Sequence, residues 1–145
     1  MFKRLGRNVL FAVCVCVLTC ASNAHAGDEQ TRIQHVVDDL KARLSIAQPV
    51  NVSLVATNPK LFSVVPAERD RGTFLLSVEE DFAQTLTDDE LRAAVAHELG
   101  HVWIFTHFPY LQTEQLANDI AAKVVSKDSL TPLYDKVWKK VGGAD

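Results

Sequence analysis

His97-Glu98-Leu99-Gly100-His101 constrains this chain more than any other stretch, because it ties a chemical requirement to a helix. Two histidines four positions apart on a helix project from one face, so both imidazoles can reach one metal ion, and the glutamate between them projects beside it. The helix is marked independently. Thr87-Asp88-Asp89-Glu90 reads as a capping box, with Thr87 as N-cap, Glu90 three residues on and acidic side chains in the first turn. It predicts a helix running to about Thr106, with Pro109 beyond its end. Leu91, Val95 and Val102 fall on one side of that helix, with Leu99 somewhat further round; His97 and His101 form a separate face. Gly100 sits mid-helix at a cost of about 0.8–1 kcal/mol against alanine, which close packing against a strand or substrate would explain.

The spacing therefore predicts a zinc site with His97 and His101 as ligands, one ion per chain, and Glu98 as a general base for a bound water. A third ligand must come from elsewhere. Glu114 is a candidate on the following helix, among the small residues Ala117, Ala121 and Ala122; its plain alternative is a solvated helix acid. His107 is a weaker rival, poorly placed six positions after His101, and Ile104 interrupts any H-E-x-x-H-x-x-G-x-x-H extension. His35, His107, Tyr110 and Tyr134 are candidates to stabilise an oxyanion.

The remainder reads as one small domain behind a leader. Lys3, Arg4 and Arg7 precede an apolar run from Val9 to Leu18, and Ala24-His25-Ala26 supplies an A-x-A cleavage pattern. This is the pattern of a signal peptide over residues 1–26, with a domain over 27–145 and a secreted or periplasmic destination. The apolar run is short of the roughly 20 residues that span a bilayer, so no membrane span is expected in the mature chain. Cys20 after Val17-Leu18-Thr19 offers a lipoprotein alternative. All three cysteines (Cys14, Cys16 and Cys20) lie in the leader, which leaves the domain without disulfides or thiolate ligands. Removing Lys3, Arg4 and Arg7 takes the formal charge from −3 to −6. That acidity and the lack of a basic run argue against nucleic acid as a partner.

Along the domain, periodicity predicts a helix from about Asp28 to Ser45, strands over Val50–Ala56, Leu61–Val65 and Thr73–Val78, and a short helix over Glu79–Leu86. After the capped helix come a helix over Leu111–Ser126 and a last one that starts at Thr131-Pro132 and stops at Gly142-Gly143. The fold class is α+β: a small mixed or antiparallel sheet of about three strands packed with the histidine-bearing helix and further helices.

The stretch from Leu86 to Val102 resembles the active-site helix of gluzincin zinc metallopeptidases, above all the family of the HtpX protease and the CAAX prenyl protease. In that family an E-x-x-A-D segment supplies the glutamate ligand. Glu114-Gln115-Leu116-Ala117-Asn118 is similar to it, with asparagine in place of the aspartate that accepts a hydrogen bond from a ligand histidine. The resemblance covers roughly Thr73 to Val125, without the family's membrane-spanning helices. It implies a zinc-dependent endopeptidase acting on peptide or protein substrates, with zinc on His97, His101 and Glu114, water activated by Glu98, and substrate laid along an edge strand, here Thr73–Val78. The alternatives are a catalytically degenerate module that binds zinc or protein partners, and a domain without a cofactor.

Overall fold

In a computed structural model of the protein, residues 10–70 and 72–142 are described, with side chains from residue 26 onward. Lys3, Arg4 and Arg7 of the expected leader lie outside the described residues. The elements follow the order α1 (Leu10–Arg43), β1 (Val50–Val55), β2 (Phe62–Pro66), β3 (Phe74–Glu79), α2 (Glu80–Ala83), α3 (Asp88–Thr106), α4 (Glu114–Ala121) and α5 (Lys127–Gly142). The fold is α+β, as the pattern of elements predicts.

The amphipathic half of α1 buries Ile33, Val37 and Leu40, the positions its 3.6-residue spacing selects. The helix does not run to Pro49. Ser45 turns left-handed (φ 57°), its N–H donates to Ala42 O, and the Ile46 N–H reaches back to Lys41 O, so the chain leaves through a Schellman-type end.

The three strands pair in the order β1-β3-β2, with β1 parallel and β2 antiparallel to β3. Val50 and Val52 of β1 and Phe74, Leu76 and Val78 of β3 alternate inward, as period-2 burial requires, and meet α1 and α3 in one core. Sheet order corrects one expectation: the strand at residues 73–78 is central, so it cannot be the edge along which a substrate lies. Of the two true edges, β1 is covered. Gln34 of α1 accepts from Val52 N–H and donates to Val50 O, and Gln30 donates to Val52 O. These side chains cap the outward backbone groups that an edge strand leaves open. β2 is the edge that faces α3 and the metal-binding face.

α3 opens as expected. Thr87 Oγ1 accepts from Glu90 N–H while the Glu90 carboxylate accepts from Thr87 N–H, completing the capping box. The helix is more deeply buried than its apolar stripe suggests, because Ala93, Ala94 and Ala96 on its other sides are also covered. Gly100 owes its place to α4 rather than to a strand or substrate. A Cβ there would stand 2.5 Å from the carbonyl oxygen and 2.9 Å from the Cα of Ala117.

The later helices depart from the sequence expectation at their starts. α4 begins at Glu114, because Thr113 takes the N-cap and accepts from Leu116 N–H. α5 begins at Lys127, one turn before Thr131-Pro132, so Pro132 lies inside the helix rather than at its first position. Pro132 is the sixth residue of α5, beyond the four N-terminal N–H groups that lack a helical partner, so it removes the ladder bond to Asp128 O.

Candidate metal centre

α3, α4 and α5 converge on one corner of the molecule. α3 brings His97, Glu98 and His101 on consecutive turns, and α4 brings Glu114 at its first residue and Asn118 one turn on. The two imidazole Nε2 atoms stand 3.2 Å apart. The Glu114 carboxylate meets them with Oε2 at 3.1 Å from His97 Nε2 and Oε1 at 3.5 Å from His101 Nε2. Among the described residues, His97, His101 and Glu114 are the group that could hold a metal ion.

The arrangement can be tested against zinc on its own geometry. Ligand bonds of about 2.0–2.1 Å in a tetrahedron place neighbouring ligand atoms roughly 3.3–3.4 Å apart, and the three separations here bracket that value. The protons point the same way. His97 Nδ1 lies 2.7 Å from Asn118 Oδ1, and His101 Nδ1 lies 3.0 Å from Gln112 Oε1. Amide oxygens only accept, so each ring directs an Nδ1–H at its amide and turns Nε2 toward the other ligand atoms. Two imidazole nitrogens and a carboxylate then face one another, a donor set that fits a divalent metal.

Glu98 is nearly buried (9% exposed) between this group and β2. Burial pushes its carboxyl above the ordinary range, against the pull of the two imidazoles and a hydrogen bond donated by the Val64 N–H. A carboxyl displaced upward in this way takes a proton more readily than an ordinary glutamate. Val64 lies on the outer edge of the sheet. Ala67 N–H to Thr73 O and Glu79 N–H to Leu61 O put the odd-numbered positions of this ladder against β3, so Phe62, Val64 and Pro66 turn their backbone groups outward.

A cleft of about 540 Å³ runs between β2 and α5 over the two histidines. Val64, Val65 and Pro66 form one wall, Leu133, Tyr134 and Val137 the other, and Phe74 and Phe105 close one part of it. Of the oxyanion candidates, Tyr134 alone lines the cleft. Its hydroxyl donates to Asn118 Oδ1 and lies 3.5 Å from His97 Nδ1, on the ring edge opposite Nε2. Burial, with Glu114 and Glu98 nearby, raises its phenol above the ordinary value against the pull of the Asn118 bond. The other three stand elsewhere. His107 is tied back to its own helix, with Nδ1 2.7 Å from Trp103 O and its ring stacked on Trp103 at 3.9 Å, which also removes it as a rival ligand. Tyr110 packs on Trp103, and His35 borders a shallow groove on α1.

The structure brings His97, Glu98, His101 and Glu114 together. Two features of the site are not anticipated by the sequence. Gln112 is one; it lies in an irregular connection whose path carries no periodic signal. β2 as the facing edge is the other: Leu61–Val65 reads as a strand candidate, but its neighbours in the sheet are not visible in it.

No protein-family model matches the chain, and no curated protein matches it. Among solved structures, the chain is similar to the crystal structure of the metallopeptidase zymogen of Pyrococcus abyssi abylysin. The TM-score is 0.53 at 16% sequence identity, covering 76% of this chain and 95% of that one. At this identity the likeness is one of fold alone.

Proposed function

We propose that the protein is a zinc-dependent endopeptidase of the gluzincin kind, with His97, His101 and Glu114 as metal ligands and Glu98 as the proton-transfer group. The observation that carries this reading is the convergence of two imidazole nitrogens and a carboxylate beside a buried glutamate on the floor of an open cleft. The fold shared with a metallopeptidase supports it.

When bound, zinc supplies a Lewis acid that polarises a peptide carbonyl and makes water a competent nucleophile at neutral pH. The chain's own residues do the rest. Glu98 accepts the proton of the attacking water and returns it to the leaving amine. Asn118 and Gln112 hold the two imidazoles in the ligating orientation. β2 turns the carbonyl groups of Phe62, Val64 and Pro66 outward, and an extended substrate segment would meet this edge through those carbonyls. The apolar walls at Phe74, Phe105, Leu133 and Val137 exclude water and would receive apolar side chains of the segment.

Residues 1–26 are proposed as a cleaved signal peptide that delivers the domain to the periplasm or the exterior; the intact mass of the exported protein, beginning at Gly27 or at an acylated Cys20, decides between the two leader readings. No helix among the described residues is long and apolar enough to cross a membrane.

The experiment is reconstitution. Exported protein stripped by a chelator should lose casein hydrolysis, and one equivalent of zinc per chain should restore it. Glu114→Ala should neither retain zinc nor recover. Hydrolysis that survives complete metal removal contradicts the proposal, and stoichiometric zinc without any hydrolysis favours a zinc-binding module without turnover.

A further inference from the structure

We infer that Gln112 is a positioning residue of the metal centre: it fixes the orientation and the tautomer of His101, and so sets the affinity of the site for zinc. This rests on the reading that His97, His101 and Glu114 hold the metal.

Gln112 lies in the connection between α3 and α4, two residues before Glu114. Both ends of its amide engage one residue. Nε2 donates to the backbone carbonyl of His101 at 3.0 Å, and Oε1 lies 3.0 Å from His101 Nδ1. The first bond settles the second. A backbone carbonyl can only accept, so the amide nitrogen must face it, and the amide oxygen is left facing the ring. An amide oxygen in turn can only accept, so Nδ1 directs its N–H at Gln112, and the ring is held with Nε2 turned toward Glu114 and His97. His101 lies inside α3, where its carbonyl already serves the helical ladder. The extra bond from Gln112 therefore does not cap the helix end; its consequence is to pin the amide.

The counterpart on the other histidine is Asn118, whose Oδ1 takes the His97 Nδ1 proton and also the Tyr134 hydroxyl. Both ligand rings are thus held by neutral amide oxygens, one from α4 and one from the loop before it. Asn118 occupies the position where the resembled family carries its aspartate; Gln112 lies outside that segment. It also lines the cleft and is exposed to solvent, so water competes for the same ring nitrogen once the amide is gone.

The test has two readouts. Long-range ¹H–¹⁵N spectra of the metal-free protein report the His101 tautomer, and competition with a chromophoric chelator reports zinc affinity. Wild type should show His101 protonated at Nδ1. In Gln112→Leu the proton should divide between both ring nitrogens, and zinc affinity should fall on the order of tenfold to a hundredfold with the helical content unchanged. Gln112→Ala repeats the measurement with a smaller side chain. Gln112→Glu keeps the acceptor for the ring but loses the bond to the His101 carbonyl, so it should hold the Nδ1–H tautomer and bind zinc more tightly than Gln112→Leu. Wild-type tautomer and affinity in the leucine and alanine variants overturn the assignment, and so does a glutamate variant as weak as leucine. If wild type itself binds no zinc, the metal reading fails, while the tautomer measurement still reports on Gln112 alone.

Discussion

At the scale of single residues, the site is governed by where a few protons sit. Asn118 and Gln112 each take a proton from the Nδ1 of a ligand histidine, and this frees both Nε2 atoms for one metal. Neither carries charge, whereas an acceptor carboxylate would make the imidazole a stronger donor. Asn118→Asp should therefore raise zinc affinity on the order of tenfold, read by chelator competition, because an aspartate oxygen can accept from both His97 and Tyr134 where Asn118 Oδ1 now does. Unchanged or weaker binding would show that the amide nitrogen of Asn118 matters more than its oxygen. Of the two, only Asn118 was readable in the sequence. It stands one helical turn after Glu114, and fixed spacing on a helix carries spatial information. Gln112 reaches His101 because of the path of an irregular loop, and eleven residues of separation encode nothing about that path.

At the scale of elements, the distance between α3 and α4 sets the distance between the histidines and their carboxylate partner. Gly100 permits that distance. An added Cβ would meet backbone atoms of Ala117 at 2.5–3.0 Å, and backbone cannot rotate away. Gly100→Ala should cost about 1–3 kcal/mol in denaturant-monitored stability, despite alanine's better helix propensity, and should weaken zinc binding by moving Glu114. A stabilised Gly100→Ala variant would contradict the close packing.

α5 is held to the start of α3 by Lys136, which bonds to Glu90 at 2.6 Å and to Thr85 O at 2.9 Å. Burial alone would raise the Glu90 carboxyl, but Lys136 and the Thr87 N–H and hydroxyl outweigh it, and the net displacement is downward. A carboxylate lowered in the folded state contributes stability above its unfolded pKa of about 4.3 and loses it as the pH falls through the folded value. Stability should thus drop on acidification below about pH 4, and Glu90→Gln should be less stable at neutral pH with a flatter acid limb. An equally steep acid limb in that variant would assign the loss to other groups. The start and cap of α3 and the buried face of α1 were legible because they are local, while α4 and α5 begin elsewhere than their sequence signals suggest. Sheet order was not: Val50–Val55, Phe62–Pro66 and Phe74–Glu79 each read as a strand, and nothing in the three segments says that the third lies between the other two.

At the scale of the whole molecule, the architecture closes three sides of a site and leaves one open. α1 covers the β1 edge through Gln30 and Gln34, α3 forms the floor, and α5 forms a far wall. β2 remains as the open edge, with the outward backbone of Val64 meeting Glu98. The buried glutamate on the floor of this cleft is the group on which a hydrolytic account depends. The most direct measurement is casein turnover by zinc-loaded wild type and Glu98→Gln at equal zinc content. The glutamine keeps the shape and hydrogen-bonding reach of Glu98 and lacks its basicity, so zinc binding and fold should persist while turnover falls on the order of a hundredfold or more. Equal turnover in the two proteins would contradict the account.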